Sequence, residues 1–467
     1  MPKAPIDRSE LILHEPKLYS AFWRLALPVC GANLLKALHD LVDTYFIGQM
    51  PDSVSAQAGI SVSWPLINIL MSFMAGLAVA GVAMISQLIG AGRKEEARKY
   101  SGLLLSLSLV LGVAINVLLY FLTPGVMRLM NAQGAVFDSA VVYTQTRSFE
   151  MIFLFIFSAF QAARQARGDT LTPVVLSVIA VVINIVLTAV FVRVLGWGVF
   201  GAAFATLIGN AAIAPACMVL LFRRGDDMRL RLPDLKLDRT RLKQLVHVAL
   251  PSAGSQALTS FGFLILQGFI LDYGANVAAA FSIGNRISNL LLIPILALGS
   301  VMAAFIGQNI GASNSQRALQ SYRVGRNIGF VVTIVGCLLI LPIRQMLINL
   351  LTNDGQTQAI TMEYLIFILI TQPLMAQFQS YISVFNGSGR TRFSFIMSIS
   401  RLWLLRLPMI LLFKNFTDLG RGGIWYAMLL SNLLILIVGR LLFRKLDFVP
   451  AIGNNPAVRE RQDACAP

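Results

Sequence analysis

Twelve apolar stretches, each long enough to cross a bilayer, run through the chain and restrict its fold more than any other feature. They lie near residues 22–46, 55–82, 101–122, 141–161, 172–193 and 199–222, and again near 246–271, 277–304, 325–348, 362–385, 393–413 and 424–443. A helix rises 1.5 Å per residue, so about 20 residues span the roughly 30 Å hydrocarbon layer. Inside that layer each segment must satisfy its own backbone N–H and C=O groups, which selects helices. Composition agrees: 56% of residues are apolar, 13% are charged, and the mean hydropathy is +0.72. That is too little charge to cover soluble domains of this length, so a soluble enzyme is excluded. The expected fold is an all-α integral membrane protein.

The net charge of +16 comes from 38 basic and 22 acidic residues, and its placement matters more than its size. With both termini on the inside, twenty-eight Lys and Arg fall in inner segments, and only Arg128, Arg147, Arg193, Arg344, Lys414 and Arg421 fall outside or at the outer helix ends. That bias is the positive-inside pattern of a multi-pass protein with cytoplasmic termini, so nucleic acid is not needed to explain the charge. After the polar residues 1–20, the first apolar stretch lacks the short core and cleavage site of a signal peptide, and nothing looks removed. Cys30, Cys217, Cys337 and Cys465 are scattered, and only His14, His39 and His247 are imidazoles, so neither a disulfide framework nor a clustered metal site is expected.

The two sets of six spans repeat one another. ISQLIGAG at 85–92 matches IGQNIGAS at 306–313, pairing Gln87 with Gln308 and Gly90 with Gly311 at an offset of 221. The same offset pairs Tyr143 with Tyr364, Gly168 with Gly389 and Thr170 with Thr391; one more pairs Asn210 with Asn432, and Leu27-Pro28 and Leu250-Pro251 stand 223 apart. Six is an even number, so the halves share one orientation and are related by a pseudo-two-fold axis along the membrane normal. The expected organisation is a segment 1–20, a six-helix lobe 21–222, a basic cytoplasmic linker 223–243, a second lobe 244–445 and a tail 446–467. A cleft between two such lobes suits alternating access.

At this level the sequence resembles the multidrug and toxic compound extrusion (MATE) transporters of prokaryotic type. The resemblance rests on Val42-Asp43-Thr44, the Gln87-x-x-Gly90-Ala91-Gly92 loop with its repeat, Arg167-Gly168-Asp169-Thr170, Gly-Ala-Ala-Phe-Ala-Thr at 201–206 and Gly-Ser-Gly-Arg-Thr at 387–391. It runs from about residue 20 to 445. It implies export of bulky, often cationic or amphiphilic compounds driven by inward H+ or Na+, in the cell inner membrane, with no cofactor beyond the coupling ion. It also implies that Asn184 and Thr206 contribute oxygens near the first-helix acid. One departure stands out: members with an acidic N-terminal lobe carry a second carboxylate four residues after that Asn, where this chain has Thr188. Members with acids in helices 7 and 10 find no match either, since Gln256, Thr259, Gln377 and Gln379 stand there.

The first span carries Lys36, His39, Asp40 and Asp43, and charges inside a membrane are costly enough to mark functional candidates. Lys36 and Asp40, like His39 and Asp43, are one helical turn apart. A carboxylate facing the cleft can take a proton or hold Na+, and either changes its attraction for a cationic substrate. The plainer alternative is an internal Lys36–Asp40 pair, with Asp43 merely reaching the outer interface. Hard cations favour the oxygens of Asn184 and Thr206, but the same groups also hydrogen-bond across helices in packing. Arg286, beside Asn285 and Asn289, has no acid in its span and either lines the cavity or pairs with carbonyls; Arg401 and Arg406 raise the same question. A basic second lobe suits anionic or zwitterionic amphiphiles better than simple cations. The alternative function is therefore a lipid or lipid-linked precursor flippase, favoured by a laterally open cavity lined by Arg286 or Arg401. No nucleotide loop or catalytic cluster suggests an enzyme.

Overall fold

The computed structural model describes residues 8–50, 53–130, 132–224 and 226–451; within these, the side chains of residues 8, 9, 40, 41, 44 and 54 are outside the description. Among the described residues, a short helix, Arg8–Leu13, is followed by twelve long helices. They are α1 (Leu18–Gly48), α2 (Ser53–Gly90), α3 (Lys94–Leu129), α4 (Gly134–Ala166), α5 (Leu171–Val194) and α6 (Gly198–Phe222). The second set is α7 (Arg239–Leu271), α8 (Ala275–Gly311), α9 (Ser315–Leu351), α10 (Gly355–Gly387), α11 (Thr391–Phe416) and α12 (Gly422–Arg444). Among the described residues, ten of them are long and apolar enough to cross a membrane. The other two, α1 and α4, are equally long but interrupted by charge: Lys36, His39, Asp40 and Asp43 on α1, Arg147 and Glu150 on α4. Those interruptions locate the site.

Turn chemistry sets the helix ends. Asp238 caps α7 by accepting from the Thr240 and Arg241 amides, Asp354 caps α10 and Asn314 caps α9. Gly168 and Gly389, matched in the repeat, end α4 and α10 at φ of +79° and +74°, a region that side chains with a Cβ avoid. The matched pair Gly92 and Ser313 keeps the left-handed turn in both halves, with Ser313 at +58° as the non-glycine exception.

The two lobes meet at the end of the bundle that carries both described chain ends. There α2 crosses α8 so closely that a Cβ on Gly90 would collide with the Gln308 carbonyl, and one on Gly311 with that of Gln87. The Gln87 amide donates to the Gly387 carbonyl at 3.2 Å, and the Gln308 amide donates to the Ala166 carbonyl at 2.6 Å. Ala166 and Gly387 are again 221 apart, so the repeat axis passes between α2 and α8. The starts of α1 and α7 are exchanged across this seam. Phe22 of α1 stacks on Phe305 of α8 at 4.4 Å within the second lobe's core, while Leu245, Val248 and Ala249 of α7 are buried in the core of the first. Residues 226 to 238 are not a loose linker: Asp226 pairs with Arg167, and Asp234 is buried against α3 with Arg98 at 2.9 Å. At Asp226 burial pushes the carboxyl pKa up, but hydrogen bonds from Arg167 and the Met228 amide outweigh it and hold it below the usual value.

Candidate functional site

A cavity of about 530 Å³ opens inside the first lobe, walled by α1, α2, α4, α5 and α6. Its polar lining includes Lys36, His39 and Asp43 of α1, Arg147 and Glu150 of α4, Asn184 of α5, and Thr206 and Asn210 of α6. Trp64, Met71, Met74, Leu154 and Phe157 supply apolar wall. The combination of adaptable thioethers and aromatic rings with a few convergent polar groups is that of a small-molecule site.

The hydrogen bonds link most of these groups into one chain. His39 Nε2 stands 2.5 Å from Asn184 Oδ1 and 3.4 Å from Asp43 Oδ2. An amide oxygen only accepts, so this contact places the proton on Nε2. The Asn184 amide donates to Thr206 Oγ1 at 2.9 Å, and Thr188 Oγ1 lies 3.4 Å from both Asp43 Oδ1 and Asn184 Oδ1. Asn210 Nδ2 donates to the Thr206 carbonyl and to Glu150 Oε1, at 3.2 and 2.9 Å. Arg147 closes the chain: Nε donates to Glu150 Oε2 at 2.6 Å, Nη2 to Oε1 at 3.2 Å, and Nη1 to the Tyr143 hydroxyl at 2.9 Å. Glu150 is 1% exposed, so the two-pronged pair is what makes its burial tolerable. Directly after Thr188, α5 widens to π-helical turns over Ala189–Val194, a local irregularity that recurs at working sites.

The structure thus brings together Asp43, Asn184, Thr206, Lys36 and His39. The Asp40 side chain lies outside the described residues. Arg286 is exposed on α8 and does not line this cavity. Sequence reasoning put Arg147 at an outer helix end and passed over Glu150. The structure corrects both: α4 points them into the cavity, where Glu150 adds a second carboxylate to the lining that Asp43 shares. The signal was present as an acid in mid-span with an Arg three residues before it, the spacing of a helical ion pair. Among the described residues no group of three or more His, Cys, Asp or Glu is arranged to hold a metal.

The second lobe does not repeat this chemistry. At the offset of 223, Asp43 and His39 correspond to Leu266 and Gly262, both buried and neither ionisable. The repeat nonetheless decides the family, because the MatE family model matches twice, over residues 28–190 and 251–412, once in each lobe. The chain belongs to the MatE family. The chain is 26% identical to "Probable multidrug resistance protein YoeA" of Bacillus subtilis (strain 168), over 91% of this chain and 94% of that one. It is 24% identical to "Probable multidrug resistance protein NorM" of Thermotoga maritima, over 96% of both. A solved structure titled "Outward-facing conformation of a multidrug resistance MATE family transporter of the MOP superfamily" superposes with a TM-score of 0.88 at 25% identity, covering 95% of this chain and 98% of that one. As a MatE protein the chain is a multi-pass membrane transporter.

Proposed function

We propose that this MatE protein exports bulky cationic or amphiphilic compounds from the cell in exchange for inward H+, with Asp43 and His39 as the proton-carrying pair. The observation that carries this reading is the His39–Asp43–Asn184 contact set inside a cavity large enough for a drug-sized molecule. An imidazole titrates near neutral pH, and here its Nε2 stands 3.4 Å from Asp43, so the carboxylate has a proton-carrying neighbour within reach. Proton uptake at the pair weakens the cavity's hold on a cationic cargo; proton loss restores it. The cargo and the proton therefore bind with opposite preference, which is what an exchanger requires.

In this reading the sealed α2–α8 crossing faces the cytoplasm with both termini, in the inner membrane, in keeping with the basic residues Lys94, Arg98, Arg167 and Arg231 at that end. The two lobes, joined through residues 223–243, rock about the crossing to close one side and open the other. The test is efflux of a fluorescent cation from proteoliposomes under a pH gradient or a Na+ gradient alone. Native protein driven by the pH gradient, with the Asp43→Asn rate down at least about tenfold, is the expected result. Drive by Na+ alone, or an unchanged Asp43→Asn rate, overturns the reading.

A further inference from the structure

Two arginines are buried in the second lobe, and among the described residues no carboxylate pairs with either. Arg401 and Arg406 begin and end one face of the π-helical turns Ser400–Arg406 in α11, and are 6% and 2% exposed. Arg406 donates to Ser431 Oγ at 3.1 Å and to Asn432 Oδ1 at 2.9 Å, both neutral acceptors. Arg401 lies over the Phe378 ring at 4.5 Å and points Nη1 at the Met375 sulfur at 3.0 Å. Its Nε is buried and makes no hydrogen bond at all.

The sequence offers these cations no acid. Between residues 364 and 417, and throughout α7, α8, α9 and α12, there is no Asp or Glu. Of the acids at the helix ends, Asp272 pairs with Lys414, Glu363 with Arg421, and Asp354 caps α10. A guanidinium does not shed its proton. Two buried positive charges within each other's field therefore carry a desolvation cost that a ring face, a thioether and two neutral oxygens do not offset. The first lobe shows how this chain buries an arginine when the partner is built in, since Arg147 has Glu150 on two bonds. Among the described residues, the second lobe has no such partner beside either arginine.

We propose that Arg401 and Arg406 form an anion-binding site inside the second lobe, taking the carboxylate or phosphate group of an amphiphilic ligand. The unbonded Nε of Arg401, buried in this structure, is the donor that meets the anionic oxygen once the site opens. Met375, partly buried and unbranched, is the group that moves aside, and the Phe378 ring provides apolar contact for the ligand's chain. The site is independent of the first-lobe cavity, and its failure would leave the exchange reading standing. Joined to that cavity, it extends the cargo from cations to zwitterionic and anionic amphiphiles.

The test uses the full chain, delipidated in an uncharged detergent, with decyl phosphate as probe and decanol and decyltrimethylammonium as matched controls. Decyl phosphate should bind, raise the unfolding temperature and outcompete both controls. Arg401→Met replaces the charge by a side chain that suits its thioether and aromatic neighbours, so it should fold as well as the native protein, bind decyl phosphate at least about tenfold more weakly and lose the temperature rise. Arg401→Lys should recover part of the affinity. Phosphorus assay of the protein before delipidation separates the sources: bound phospholipid lost in Arg401→Met identifies a lipid headgroup, and equal phospholipid in both identifies a soluble organic anion. No binding of decyl phosphate by native protein, or equal affinity in Arg401→Met, overturns the proposal.

Discussion

At the sealed end the two lobes are near copies, and halfway across the membrane they are not. Gly90 and Gly311 meet the opposite helix in the same way, and Gln87 and Gln308 reach the ends of α10 and α4 through equivalent bonds. Further along, the first lobe holds Asp43, Glu150 and Arg147 around a cavity, where the second holds Leu266 on α7 and the buried pair Arg401 and Arg406 on α11. Even the shared irregularity follows this division. Both fifth helices of the lobes contain π-helical turns, but in α5 they follow the hydrogen-bonded Asn184 and Thr188, while in α11 they carry the arginines themselves. In the proposed exchange cycle the symmetric parts are those that open and close, and the parts that differ are those assigned to ions and cargo.

The comparison breaks first at Glu150. Glu150→Ala leaves Arg147 buried without its partner and should cost about 3–5 kcal/mol, read as a large fall in unfolding temperature, whereas the double change Arg147→Met with Glu150→Leu should be near neutral. If the single and double variants are equally stable, the pair is not what makes the burial of these charges tolerable. A smaller effect tests the symmetric end. Gly90→Ala and Gly311→Ala each force a methyl group against a carbonyl of the crossing helix, and each should cost about 1–3 kcal/mol. The two losses should agree within error, and a clear inequality would show that the lobes do not share the seam evenly. The smallest change belongs to His39→Gln, which keeps a donor for Asn184 but no titrating ring. Transport by this variant should retain most of its rate at one pH while its pH dependence between about 6 and 8 flattens; an unchanged pH profile would remove His39 from the coupling pair.

Much of the architecture was legible in the sequence because bilayer length and backbone satisfaction leave few choices, and because the offset of 221 repeats the same backbone solution twice. Asp43, Asn184 and Thr206 were legible through the family resemblance, and Lys36 and His39 through their spacing on α1. Glu150 and Arg147 were not, since the basic-residue count that fixes topology assigns Arg147 to a surface, and nothing in a linear string says which face of α4 turns inward. The unpaired state of Arg401 was visible only in part. The sequence shows that no acid shares its span, but the contacts with Met375 and Phe378, and the buried Nε, needed side-chain positions.

The most direct test of the exchange account is proton release on cargo binding, followed in weakly buffered detergent solution as a cationic substrate is added to purified protein near pH 6.5. The account predicts protons released on binding by native protein and by Arg401→Met, and none by Asp43→Asn. Release that persists in Asp43→Asn would contradict it, because the proton displaced by the cargo would then come from somewhere other than the first-lobe cavity.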